Sequence, residues 1–112
     1  TVKGMSEGAS RLEFEYAIPA ADAEAMLALC EGPLIDKQRY RLPIDNDTRY
    51  WEIDEFFGDN AGLVVAELEL QSENETVPQP SWLGEEVTGD PNYYNSNLSQ
   101  RPFAYWTEEE RR

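Results

Sequence analysis

The chain's 112 residues can hold one domain or part of one, and 23 Asp and Glu against nine Lys and Arg give it a net charge of −14. With no histidine and a lone Cys30, the composition excludes Ser-His and Cys-His catalysis, Cys/His zinc sites and a disulfide framework, and so acidic a chain is a poor holder of nucleic-acid phosphates. No apolar run approaches the ~20 residues that span a bilayer and no signal-like segment opens the chain, so neither nucleic acid nor membrane is an expected partner, and the cytoplasm is the expected location.

A hydrophobic fraction of 40% with 12% aromatic residues is enough for a core. Thr1 to Lys3 predicts the end of a strand, and Gly4 to Ser10 a loop. Arg11 to Ile18 then alternates strictly, with Arg11, Glu13 and Glu15 on one face and Leu12, Phe14 and Tyr16 on the other, which predicts a strand ended by Pro19. The alanine-rich run Ala20 to Leu29 predicts a helix that packs through Met26, Leu27 and Leu29, with Cys30 beside them as a buried, inert thiol; Gly32-Pro33 stops it. A second alternating strand, Leu34 to Leu42, sets Lys37, Arg39 and Arg41 against Gln38, Tyr40 and Leu42. Pro43 to Thr48 carries hairpin-turn residues. The strand Arg49 to Phe57 sets Glu52 and Asp54 against Trp51 and Ile53, Gly58-Asp59-Asn60 turns the chain, and Gly62 to Gln71 sets Glu67 and Glu69 against Ala66, Leu68 and Leu70. A loop follows to Pro80. Trp82 to Asp90 is a compact element whose Trp82 anchors on the outer sheet, Pro91 to Gln100 a short helix, and Glu108 to Arg112 a frayed, charged tail with Glu108 to Glu110 exposed to solvent.

Four successive strands thus carry their charges on one face. Residues 1–42 have five basic and seven acidic groups, net −2, whereas residues 43–112 have four and 16, net −12, so the basic groups concentrate early. An antiparallel sheet with one wet face gives this pattern. So does a sheet curled into a tunnel, where lumen and outer positions alternate along every strand, with Tyr40, Ile53, Leu68 and Leu70 packed outside against helices. Lysine and arginine rows clamp phosphate chains, and clustered carboxylates without His or Cys favour hard cations such as Mg²⁺, Mn²⁺ or Ca²⁺. Both kinds in one cavity point to a metal-bound oligophosphate.

The segments Lys37-Gln38-Arg39-Tyr40-Arg41, Trp51-Glu52-Ile53-Asp54 and Ala66-Glu67-Leu68-Glu69-Leu70 resemble successive strands of the CYTH domain, the triphosphate tunnel metalloenzyme family. Trp82 to Asp90, then Tyr94-Asn95 and Asn97-Leu98, are similar to the C-terminal signature of its bacterial members, and Thr1 to Gly4 with Ser10 to Glu15 to its mid-domain strands. The resemblance implies an α+β fold: an antiparallel β-tunnel with helices outside, incomplete here because the first strands, with their Glu-x-Glu-x-Lys motif, are absent. Residues 1–100 would be the C-terminal portion of a single CYTH-like domain and 101–112 a C-terminal tail. An open sheet edge would then invite association, a homodimer among the outcomes. The implied activity is metal-dependent hydrolysis of inorganic triphosphate or a related triphosphate. Lys3, Arg11, Lys37, Arg39 and Arg41 would bind substrate, Glu52, Asp54, Glu67 and Glu69 would hold Mg²⁺ or Mn²⁺, and Glu13 and Glu15 would orient a basic partner or water. The alternatives are a class IV adenylate cyclase or thiamine triphosphatase-like enzyme, and a non-catalytic polyphosphate-binding module.

Overall fold

The computed structural model describes residues 1–5, 11–72 and 74–111. They form two compact units, Thr1–Glu31 and Gly32–Arg112. Among the described residues the elements are short antiparallel strands and two α-helices, an α+β content, and the sheets of two and three strands do not close into a barrel.

In the first unit, β1 (Val2–Lys3) pairs antiparallel with β2 (Glu13–Phe14), Val2 opposite Phe14 and Lys3 opposite Glu13. The Gly4 amide adds a 2.7 Å bond to the Leu12 carbonyl. The alternation at Arg11 to Ile18 is therefore realised as a ladder over two residues only, because a strand extends no further than its partner does. The expected loop over residues 6–10 lies outside the described residues. Helix α1 (Ala20–Ala28) begins after Pro19, whose carbonyl accepts from the Asp22 and Ala23 amides. Its alanines carry intrinsic helix preference, and Asp22 in the first turn suits the dipole. None of its residues is buried. The expected packing of Met26, Leu27 and Leu29 is accordingly corrected: all three are exposed, and so is Cys30, which was expected to be buried.

The second unit is built on a three-stranded antiparallel sheet in the order β3 (Lys37–Pro43), β4 (Tyr50–Phe56), β5 (Val64–Glu67). In the β3–β4 hairpin Asn46 takes φ 58°, which asparagine tolerates, and Asp47 accepts from the Arg49 backbone and guanidinium. The β4–β5 connection is a 3-10 turn at Gly58–Asn60 followed by Gly62 at φ +95°, a backbone that needs glycine. The strand expected over Gly62 to Gln71 pairs only from Val64 to Glu67.

The register decides the faces. Lys37 lies opposite Phe56, Arg39 opposite Asp54 and Arg41 opposite Glu52; Glu52 is in turn opposite Glu67, and Asp54 opposite Val65. Directly opposed residues share a face, so Lys37, Arg39, Arg41, Glu52, Asp54 and Glu67 all project to one side, as the alternation implies. The core corrects the second half of that expectation. Phe56 clusters with Leu63, Leu98 and Trp106, with Val65 alongside, on the same side of the sheet as the charges. On the opposite face Tyr40 is 46% exposed, and Leu70, beyond the end of β5, is exposed too, so neither packs under a helix. What is covered there is Trp51, which meets Trp82 edge to face at 5.4 Å, the anchoring expected of Trp82.

The C-terminal part supplies the other half of the core. Asp90 caps a 3-10 turn at Pro91–Tyr93 through the Asn92 amide, and α2 (Asn95–Gln100) follows with Leu98 fully buried. Tyr93 and Phe103 both pack edge-on against Trp106. The buried Asn60 side chain accepts from the Phe103 amide at 2.8 Å, fixing the β4–β5 turn to this segment. Glu108 and Glu109 are exposed as expected, but the frayed tail is corrected at Glu110 and Arg111. Glu110 accepts a two-pronged bond from Arg101, and Arg111 stacks on the Phe103 ring while donating to the Phe103 and Ala104 carbonyls.

Candidate active site

The charged face of β3–β5 centres on Asp54, only 2% exposed. Its Oδ2 accepts from Lys37 Nζ at 2.8 Å and Arg39 Nη2 at 2.9 Å, and its Oδ1 from Arg39 Nε at 2.7 Å. Arg39 Nη1 reaches on to Glu52 Oε2 at 2.9 Å. The parallel two-bond fork between guanidinium and carboxylate is the geometry that lysine cannot reproduce. Burial pushes the Asp54 carboxyl pKa up, but the hydrogen bonds and charges of Arg39 and Lys37 outweigh it and hold it below the ordinary range. The Asp54 hydrogen bond in turn drives the Arg39 pKa upward.

Aromatic rings complete the setting. The Lys37 ammonium lies 5.5 Å from the centre of the Phe56 ring, and the Arg41 guanidinium 5.0 Å from that of Tyr50. Neither ring was among the candidates read from sequence. Phe56 follows Asp54 by two residues on an alternating strand, so the period that found Glu52 and Asp54 also places Phe56 beneath Lys37. Arg41 has no carboxylate partner among the described residues. A cavity of about 460 Å³ opens at the Tyr50 end of β4, lined by Tyr50, Glu52, Glu69, Arg49 and Glu75 among others. Glu69, beyond the last paired residue of β5, lines this cavity together with Glu52 and is not paired with it across the ladder.

The remaining candidates lie in the first unit. Lys3 is opposite Glu13, Arg11 donates Nε to Glu13 Oε1 at 3.1 Å, and Glu15 is exposed. Glu13 thus pairs with Arg11 at the surface of this unit.

The acidic side chains differ in their readiness to hold a cation. Asp54 is committed to Lys37 and Arg39. Glu52 and Glu67 stand directly opposite each other across β4 and β5, a like-charge pair that the Arg39 guanidinium on Glu52 offsets only in part. Carboxylate oxygens suit hard divalent ions, and Mg²⁺ commonly takes one or two carboxylates with phosphate and water completing its shell. The donors fit such an ion through Glu52 and Glu67. Among the described residues no three Asp, Glu, His or Cys side chains form a metal cluster on their own.

Comparison with known proteins gives the family of the chain. The CYTH domain model matches residues 1–103, and the chain belongs to the CYTH family. Over 109 residues it is 52% identical to a protein named inorganic triphosphatase from Acetivibrio thermocellus, covering 96% of this chain and 69% of that one. A second protein of that name, from Nitrosomonas europaea, is 36% identical over 96 residues, covering 82% of this chain and 62% of the other. The chain thus spans about two thirds of the length of these curated relatives. No solved structure matches it significantly. Among the described residues no helix is long and apolar enough to cross a membrane.

Proposed function

We propose that the charged face of β3–β5 binds the phosphate chain of inorganic triphosphate and that the protein hydrolyses it with the help of Mg²⁺ or Mn²⁺, inside a β-tunnel in the cytoplasm. The observation that carries this reading is the register placing Lys37, Arg39 and Arg41 on one face with Glu52 and Glu67, in a chain 52% identical to a protein named inorganic triphosphatase.

Lys37 keeps ammonium protons beyond the one given to Asp54, and Arg39 keeps an outward N–H on each Nη. These donors, with the Arg41 guanidinium, hold phosphate oxygens and stabilise the charge that spreads over the transferred phosphoryl group. Glu52 and Glu67, with Glu69 at the cavity edge, hold the cation, which supplies charge neutralisation and polarises the phosphate oxygens. Within the first unit, Lys3 and Arg11 offer further cations suited to phosphate, and Glu13 or Glu15 a carboxylate suited to orienting water. In the reaction a water oxygen bonds to a terminal phosphorus, the bridging P–O bond breaks, and the released protons leave with orthophosphate and pyrophosphate.

The test is phosphate release from triphosphate, ATP and thiamine triphosphate during titration with Mg²⁺ and with Mn²⁺. Triphosphate is expected to react fastest, Lys37→Met to lower kcat/KM by about 100-fold, and Glu67→Gln to raise the metal concentration required by about tenfold. Metal-dependent binding of triphosphate without release would replace the enzyme by a binding module. Pyrophosphate release from ATP without triphosphate cleavage would replace it by a cyclase.

A further inference from the structure

We propose that Asp54 is a positioning residue for Lys37 and Arg39, not a metal ligand; this rests on the reading of the face as a triphosphate site. Three observations carry it. First, its two oxygens already accept three bonds from two cations within 2.7–2.9 Å, and the carboxylate is almost fully buried beneath them. A metal ion would have to displace a guanidinium fork and an ammonium, both of its own sign. Second, the three bonds fix directions as well as distances. The Arg39 plane is pinned at Nε and Nη2 by Asp54 and at Nη1 by Glu52, and Lys37 is held between the Asp54 carboxylate and the Phe56 ring. What remains unpaired on both cations is the set of N–H groups turned away from Asp54, available to an anion. Third, burying an ion pair is weak as a source of stability, because desolvation consumes most of the attraction. Its value here lies in holding two flexible side chains in one arrangement before the phosphate chain arrives, which removes an ordering cost from the reactive complex.

Positioning and metal ligation separate in the Asp54→Asn variant. The amide keeps the shape and part of the hydrogen bonding but removes one negative charge from the face. Metal-free calorimetric titration with triphosphate is expected to show affinity equal to or tighter than that of the unsubstituted protein. Mn²⁺ affinity, read by electron paramagnetic resonance, is expected to change by less than about threefold, whereas loss of a ligand would cost at least about tenfold. Turnover per folded molecule is expected to fall by about 100-fold with KM little changed, the signature of misplaced donors. Asp54→Glu, which keeps the charge and moves it outward, is expected to share the turnover defect and serves in the same measurements if the amide variant does not fold. Mn²⁺ affinity lost in either variant, or turnover per folded molecule unchanged in both, overturns the proposal alone. Failure of the unsubstituted protein to bind triphosphate overturns the functional reading, and this proposal with it.

Discussion

Single side chains divide here by how much of their setting is local. Glu110 accepts both prongs of the Arg101 guanidinium and the Thr107 amide, and chiefly the Arg101 bond lowers its pKa from the ordinary 4.5 to about 2. A carboxylate with a depressed folded-state pKa contributes stability above its unfolded value and loses it as pH falls through the folded one. Thermal unfolding followed from about pH 4.5 toward about pH 2 is therefore expected to show stability draining away. Glu110→Gln is expected to flatten part of that fall, while Asp47, held down to about 2 by Arg49, and Asp54, held below its ordinary range by Arg39 and Lys37, still contribute to it. An unchanged pH profile in Glu110→Gln would mean the pair is no tighter than in the unfolded chain. The exposure of Cys30 is the converse lesson. Apolar neighbours in sequence suggest a buried thiol, but burial is decided by what packs over the helix, and a nine-residue helix does not specify its own cover.

Elements were legible where the pattern is intrinsic to the backbone. The alternation of Lys37, Arg39 and Arg41, and of Glu52 with Asp54, needs only the period of two. The lengths of β2 and β5 depend on partners and so were overestimated. Turn chemistry was equally readable: Gly58-Asp59-Asn60 reverses the chain, and Gly62 continues it at φ +95°. An added Cβ at Gly62 would meet the Phe103 ring edge at 3.5 Å, an ordinary contact, so the cost of Gly62→Ala is in the backbone. Urea unfolding is expected to report a loss of about 1–3 kcal/mol. Gly84→Ala, with no positive φ and nothing within 4 Å of the new Cβ, is expected to stay within about 0.5 kcal/mol of the parent. Equal midpoints for the two variants would contradict the left-handed backbone at Gly62.

At the scale of the whole molecule, net charge dominates. A charge of −14 repels itself in the compact state. Raising ionic strength from about 0.01 M to about 0.15 M shortens the screening length from about 30 Å to about 8 Å. The melting temperature is expected to rise over that range, because the repulsion among exposed carboxylates is screened while the buried Asp54 network is not. A fall would show that screened attractions outweigh the repulsion.

The sequence by itself determined the class of strand, the face shared by Lys37, Arg39, Arg41, Glu52, Asp54 and Glu67, and the chemistry those side chains offer. All follow from local periodicity and residue type, which no distant contact can reverse without a register slip. Only the tertiary structure decided that the core lies on the charged side of the sheet, since Phe56 and Leu63 find Leu98 and Trp106 from a segment far along the chain. It likewise decided that Asp54 answers Lys37 and Arg39 while Glu52 faces Glu67. Cross-strand register assigns a charge its partner, and one strand read alone carries no record of which residue will stand opposite.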